Sequence, residues 1–183
     1  MPTSENNQSN QRSVYSTGLS SVNWALPRVM FLMMNPSVAG IEHADPTLIK
    51  TGKFARAWGC GGQLVGNVHA YRVTDSKQLI QAQDPVGPDN DAALLRMARQ
   101  SAFVVLAFGL PPKPLRPRAT LVVDMLKGTV PLKYLRLTQN GTPSHPLYLP
   151  SGLTPREFML RRGETEDVIR LHQQPYASDQ LGQ

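Results

Sequence analysis

The sequence predicts a three-layer α/β domain built on a mostly parallel, four-stranded sheet flanked by helices. Three observations carry that expectation. Two uninterrupted apolar runs, at 30–34 within a strand expected at about 28–34 and at 102–108, are bounded by turn residues, the pattern of strands buried on both faces. Strand-like and helix-like segments alternate four times along the chain, which favours a parallel sheet with crossover helices. A length of 183 residues with 40% apolar content suits one domain with a sizeable core, and a lone cysteine excludes an internal disulfide.

Residues 1–12, MPTSENNQSNQR, lack apolar content and read as a disordered tail ahead of a single domain over 13–164. Residues 13–28 scatter Val14, Tyr15, Leu19, Val22, Trp24 and Leu26 among small polar residues, predicting an irregular hairpin or edge segment. The first strand then runs into Asn35-Pro36-Ser37, where Pro36 ends the ladder. Asp45-Pro46-Thr47 opens a helix with Asp45 as its cap, and that helix stops at Gly59.

A second strand is expected from Gln63 to Ala70, delivering Asn67, His69 and Tyr71-Arg72 at its end. A short helix follows Thr74-Asp75-Ser76, and 84–88 (Asp-Pro-Val-Gly-Pro) is a rigid connector. Asp89 or Asn90 caps a helix to about Gln100, and the third strand occupies Ala102 to Phe108. Residues 111–118, rich in proline and basic residues, predict a stiffened loop before a helix over 119–127. The fourth strand is placed at Tyr134 to Leu137, a last short helix at Thr154-Pro155-Arg156-Glu157, and a weakly ordered tail at 165–183.

Nineteen basic against thirteen acidic residues give a formal charge of +6 and favour polyanionic partners. No stretch of eighteen apolar residues and no secretory signal pattern is present, so a cytoplasmic protein without membrane attachment is expected. The sequence lacks a Gly-x-x-x-x-Gly-Lys phosphate loop, a Gly-x-Ser-x-Gly elbow around Ser37 and any closed zinc-ligand spacing. No metal and no cofactor is therefore expected.

Right-handed crossovers bring the carboxyl ends of parallel strands to one edge, where open α/β sheets bind ligands. That edge should collect Asn35, Asn67–Arg72, Gly109–Arg118 and His145, with Glu42, His43 and Asp45 nearby. Asn67 suits a ligand contact or a partner for buried backbone groups. His69 suits a ligand contact or a core histidine, and Asp45 a helix cap or a base. His145, in a loop before Pro146, has no packing role that calls for an imidazole.

The segments NPSVAG, ADPTLIKTGKFARAWGCGG, VGNVHAYRVTD, DPVGPDND, VVLAFG and SHPLYLP resemble a family of short, uncharacterised bacterial and phage proteins over about residues 13–155. More distantly, strand–Asn-Pro, strand–Asn and a late His-Pro loop resemble the uracil-DNA glycosylase superfamily, its mismatch-specific branch in particular. Here Met33-Met34-Asn35-Pro36-Ser37 stands at the first motif without its glycines, and His145-Pro146-Leu147-Tyr148 lacks the usual Ser-Pro before the wedging leucine.

The resemblance implies a uracil-DNA-glycosylase-like fold and a DNA glycosylase acting on a flipped nucleotide. By that likeness Asn35 positions water, Asp45 or Glu42 assists as a carboxylate, and His145 stabilises the departing base. Pro36, Ser37, His43, Asn67, His69 and Tyr71 would line the base pocket, with Phe54, Trp58 or Tyr71 stacking on the base. Arg72, Lys113, Arg116 and Arg118 would contact phosphates, and Leu147 or Tyr148 would enter the duplex. The phage association of the resembling family implies a modified pyrimidine, such as glucosylated hydroxymethylcytosine, and a defence role. Two rival expectations are a hydrolase of free nucleosides or nucleotides and a non-catalytic nucleic-acid-binding module.

Overall fold

A computed structural model describes Asn23, residues 25–37 and residues 45–158. The predicted tails, the 13–22 segment, Trp24, Glu42 and His43 lie outside the described residues. The sheet comprises β1 (Arg28–Met33), β2 (Gly62–Asn67), β3 (Phe103–Leu106), β4 (Leu132–Tyr134) and β5 (Arg156–Glu157). Its order is β2-β1-β3-β4-β5, with the first four strands parallel and β5 antiparallel to β4.

Strand β1 has neighbours on both sides and helices over both faces, which is why its sequence is apolar without alternation. Val29, Phe31 and Met33 pack toward helix α1 (Pro46–Ala57), in one core with Phe54, Ala55, Val65 and Val105. Met30 and Leu32 face the opposite layer, made by α2 (Asn90–Arg99) and α3 (Arg116–Lys127) with Leu94, Met97, Val122 and Leu126. Gly66 fixes how closely α2 approaches: a Cβ there would meet Met30 Cε at 2.5 Å and Leu94 Cδ2 at 2.6 Å. No helix among the described residues is long and apolar enough to cross a membrane.

Helix α1 begins as the sequence predicts. The Asp45 carboxylate accepts the Thr47 N–H at 2.7 Å and Pro46 occupies the first turn. It ends at Trp58, with Gly59 at φ 74°.

Five expectations need correction. The sheet has five strands, because Arg156–Glu157, within the expected last helix, forms the edge strand β5. Thr-Pro-Arg-Glu imitates a helix start, but Tyr134 pairs with Arg156 and Lys133 with Glu157, the latter pair also through a 2.7 Å salt bridge. The fourth strand lies at 132–134, since parallel pairing with Val104–Leu106 sets its register. Strands two and three end at Asn67 and Leu106, short of the predicted Ala70 and Phe108. The basic proline segment is a 3₁₀ turn at Lys113–Leu115 leading directly into α3, where Pro117 is accepted in the first turn. The short helix after Thr74 is also of the 3₁₀ type, at Ser76–Gln81.

Candidate functional site at the carboxyl edge of the sheet

The chain leaves β1 toward β2 on one side and returns to β3 on the other. The crevice that this reversal opens lies at the carboxyl ends of β1 and β3. Asn35 follows β1 at that point. The loop it begins is sewn to the loop after β2: Val68 donates to Met33 O at 2.8 Å, His69 to Met34 O at 3.0 Å and Val73 to Pro36 O at 3.2 Å. The Asn35 amide nitrogen donates to Val73 O at 2.7 Å and Pro36 O at 3.1 Å. Both amide hydrogens are thus committed, and the half-buried amide oxygen has no partner among the described residues.

The Asp-Pro-Val-Gly-Pro stretch supports this loop. Asp84 Oδ1 accepts the N–H groups of Val86 (3.1 Å) and Gly87 (2.9 Å), with Gly87 at φ 81°. The turn so formed presents Val86 O to Ala70 N–H and Pro85 O to Tyr71 N–H.

A closed polar cluster ends β2. Buried Asn90, the first residue of α2, donates through Nδ2 to Asn67 O and Val68 O, each at 3.1 Å. Arg118 Nε donates to Val68 O at 3.2 Å while its two terminal nitrogens grip both carboxylate oxygens of Asp91. Asp89 holds the cap position of α2 without a side-chain hydrogen bond, and Asn90 turns to the strand instead. His69, 1% exposed, sits against this cluster. Burial pushes its pKa down to about 4, the Arg118 charge adds to the effect, and the Met34 carbonyl opposes it. Asn67 is likewise buried, and its backbone carbonyl belongs to the cluster.

His145 approaches from the far side. A hairpin turn with Gly141 at φ 75° is braced by Thr138 Oγ1 and Thr142 Oγ1, 2.8 Å apart, and is tied to the end of β3 by Gly109 N–H on Pro143 O. It delivers His145 as the cap of a 3₁₀ turn, Pro146–Tyr148. His145 Nδ1 accepts the Leu147 N–H at 3.4 Å, which leaves the neutral ring's proton on Nε2. Burial lowers the His145 pKa and the negative charge of Asp45 pulls it partly back. Asp45 and His145 are therefore electrostatic neighbours, although 100 residues apart in sequence. Tyr148, 83% exposed, stands with its ring centroid 6.1 Å from that of His145.

A protein-family model described as "Protein of unknown function (DUF1643)" matches residues 20–147. The chain belongs to the DUF1643 family. No curated protein and no solved structure matches it. The DUF1643 match takes in every candidate site residue named from sequence except Tyr148.

The remaining candidates of this DUF1643 chain separate clearly. Phe54 and Trp58 are core: Trp58 stacks on Phe31 and Phe54 at 5.8 and 5.4 Å, and its Nε1–H donates to Leu153 O. Tyr71 is half-buried against a small cluster of Val73, Leu79 and Leu115. Arg116 Nε donates to Pro111 O, Lys113 is exposed, and Leu147 is half-buried. Ser37 is exposed just past Asn35 and Pro36. Among the described residues no group of three His, Cys, Asp or Glu side chains is gathered to hold a metal ion. Asn90 and Asp91 escaped the sequence reading as anything but helix-start residues. Their signal was the run Asp89-Asn90-Asp91 directly after Gly87-Pro88, three polar residues where one cap suffices.

Proposed function

We propose that this protein is a DNA glycosylase that removes a modified pyrimidine from a nucleotide turned out of the stack, leaving an abasic site. The observation that carries the reading is the state of Asn35. Its amide nitrogen is held by two backbone carbonyls, and its oxygen, without a partner among the described residues, is left as an acceptor at the switch point of the sheet. N-glycosidic hydrolysis calls for such an acceptor, to hold the attacking water, and for a donor facing the negative charge that develops on the base.

Neutral His145 supplies the donor through Nε2–H, with the ring oriented by the Leu147 amide. In the reaction the water oxygen bonds C1′ and the electron pair of the C1′–N bond leaves with the base. One water hydrogen remains on the new hydroxyl and the other ends on the base. Asp45, whose Oδ1 already receives the Thr47 amide, offers negative charge toward the cationic sugar. The exposed Tyr148 ring fits contact with a base or its gap in the duplex. The resemblance to phage-associated proteins favours a hypermodified cytosine and a cytoplasmic defence role.

A second reading, hydrolysis of free nucleosides or nucleotides, is favoured by one observation. Arg118 and Arg116, expected on phosphates, are engaged with Asp91 and with backbone carbonyls. The test is alkali-labile strand breakage after incubation with duplexes carrying uracil, cytosine, hydroxymethylcytosine or glucosylated hydroxymethylcytosine. Product on one duplex supports excision and names the base. Release of base from free nucleosides alone moves the assignment to the second reading. Salt-sensitive duplex binding with no product leaves a binding module.

A further inference from the structure

Four cationic side chains follow the strands at the carboxyl edge, and their states differ. Arg118 is engaged through all three of its nitrogens, by Asp91 and Val68 O. Arg116 gives its Nε to Pro111 O, and Lys113 is exposed. Arg72 is different. It is half-buried, its Nε is fully buried without a hydrogen-bond partner, and its guanidinium pairs with no carboxylate among the described residues.

Leaving a buried charged donor unpaired is costly, and proteins retain such groups where a ligand completes them. The position of Arg72 fits that purpose. It immediately precedes Val73, whose carbonyl holds the Asn35 amide and whose N–H is bound to Pro36 O. His69, three residues earlier in the same loop, also has a buried, unpartnered nitrogen, Nδ1. The loop therefore carries more unmet polar capacity than the rest of the described chain, where Gln63 Oε1 alone joins these two atoms.

We propose that Arg72 is the anion site of the crevice and binds the phosphate attached to the nucleoside that Asn35 engages. The ligand class is a deoxynucleoside phosphate, supplied either by a DNA strand or by a free mononucleotide. The assignment rests on the reading of the Asn35 crevice as a nucleoside site. It adds that the phosphate is read by one semi-buried guanidinium, planar and able to offer paired N–H donors to phosphate oxygens.

The experiment is calorimetric titration of the whole protein and of Arg72→Gln with deoxycytidine, deoxycytidine 5′-monophosphate, inorganic phosphate and a short single-stranded oligodeoxynucleotide. The expected result is binding of the monophosphate about tenfold or more tighter than the nucleoside, with that preference lost in Arg72→Gln. Tight oligonucleotide binding with weak monophosphate binding identifies a strand as the source; the reverse identifies a free nucleotide. Thermal melting without ligand keeps the test independent of folding, because removing an unpaired buried charge should leave the melting temperature unchanged or raised.

A fall in melting temperature, equal binding of nucleoside and monophosphate, or unaltered binding by Arg72→Gln overturns the proposal. Abasic product formed with no phosphate preference removes Arg72 and keeps the glycosylase reading. Phosphate binding lost in Arg72→Gln, with no abasic product on any duplex, does the opposite.

Discussion

Two polar regions share the carboxyl edge of this sheet, and they are built on opposite principles. At the end of β2, Asn90, Asp91 and Arg118 bind one another and the strand's last carbonyls, so their main hydrogen-bonding groups are spent inside the protein. At the end of β1, in the hairpin and farther along the loop after β2, other polar groups lack partners among the described residues. Asn35 keeps its amide oxygen, His145 keeps Nε2–H, and Arg72 keeps its guanidinium. Polar residues of the same types therefore serve as scaffold in one corner and as a candidate site in the next. Residue type does not separate them; satisfaction does.

The comparison can be strained first through pH. His69 has a folded pKa of about 4 against about 6.5 when unfolded, so the native state binds fewer protons between those values. Stability should be fully present above about pH 6.5 and fall by up to about 3 kcal/mol as the pH drops to about 4, levelling below that. The lowered pKa of His145 acts in the same direction. Urea midpoints between pH 7.5 and 4 check this, and His69→Gln should flatten the slope.

Arg118→Ala comes next in size. It leaves Asp91 without its cation and Val68 O short of one donor, at an expected cost of about 2–3 kcal/mol in chemical denaturation. It should also raise the His69 pKa, visible by NMR titration, because the nearby positive charge is gone. Asn90→Ala removes two buried donations and should cost about 1–2 kcal/mol, with duplex contacts untouched. Tyr148→Ala is the smallest in stability, within about 0.5 kcal/mol because the ring is 83% exposed. Its effect should appear instead as weaker duplex binding in a fluorescence anisotropy titration.

The sequence carried the frame of this molecule in its patterns. The apolar run of β1, its stop at Asn35-Pro36 and the Asp45 cap of α1 are local signals that packing left unopposed. The same local logic failed where pairing decided the outcome. Thr154–Glu157 carries a helix-start pattern, yet its Arg156 and Glu157 pair with β4, and Pro117 read as loop although it suits a helix's first turn.

The position of Asn35, Asn67, His69 and His145 at or beyond the carboxyl ends of parallel strands follows from topology alone. The electrostatic influence of Asp45 on His145 and the contrast between Arg118 and Arg72 do not. Both depend on which groups meet across 27 to 100 residues of chain, and no spacing rule encodes that.

The central claim is that Asn35 belongs to the open corner and works on a substrate, while the closed corner only holds it in place. The most direct measurement is the single-turnover rate of abasic-site formation by wild type and Asn35→Ala on the responsive duplex, read beside the urea midpoint of each. The account predicts a rate lower by about a hundredfold or more with stability changed by about 1 kcal/mol. A variant that keeps the wild-type rate, or loses activity only in proportion to its folded fraction, contradicts it.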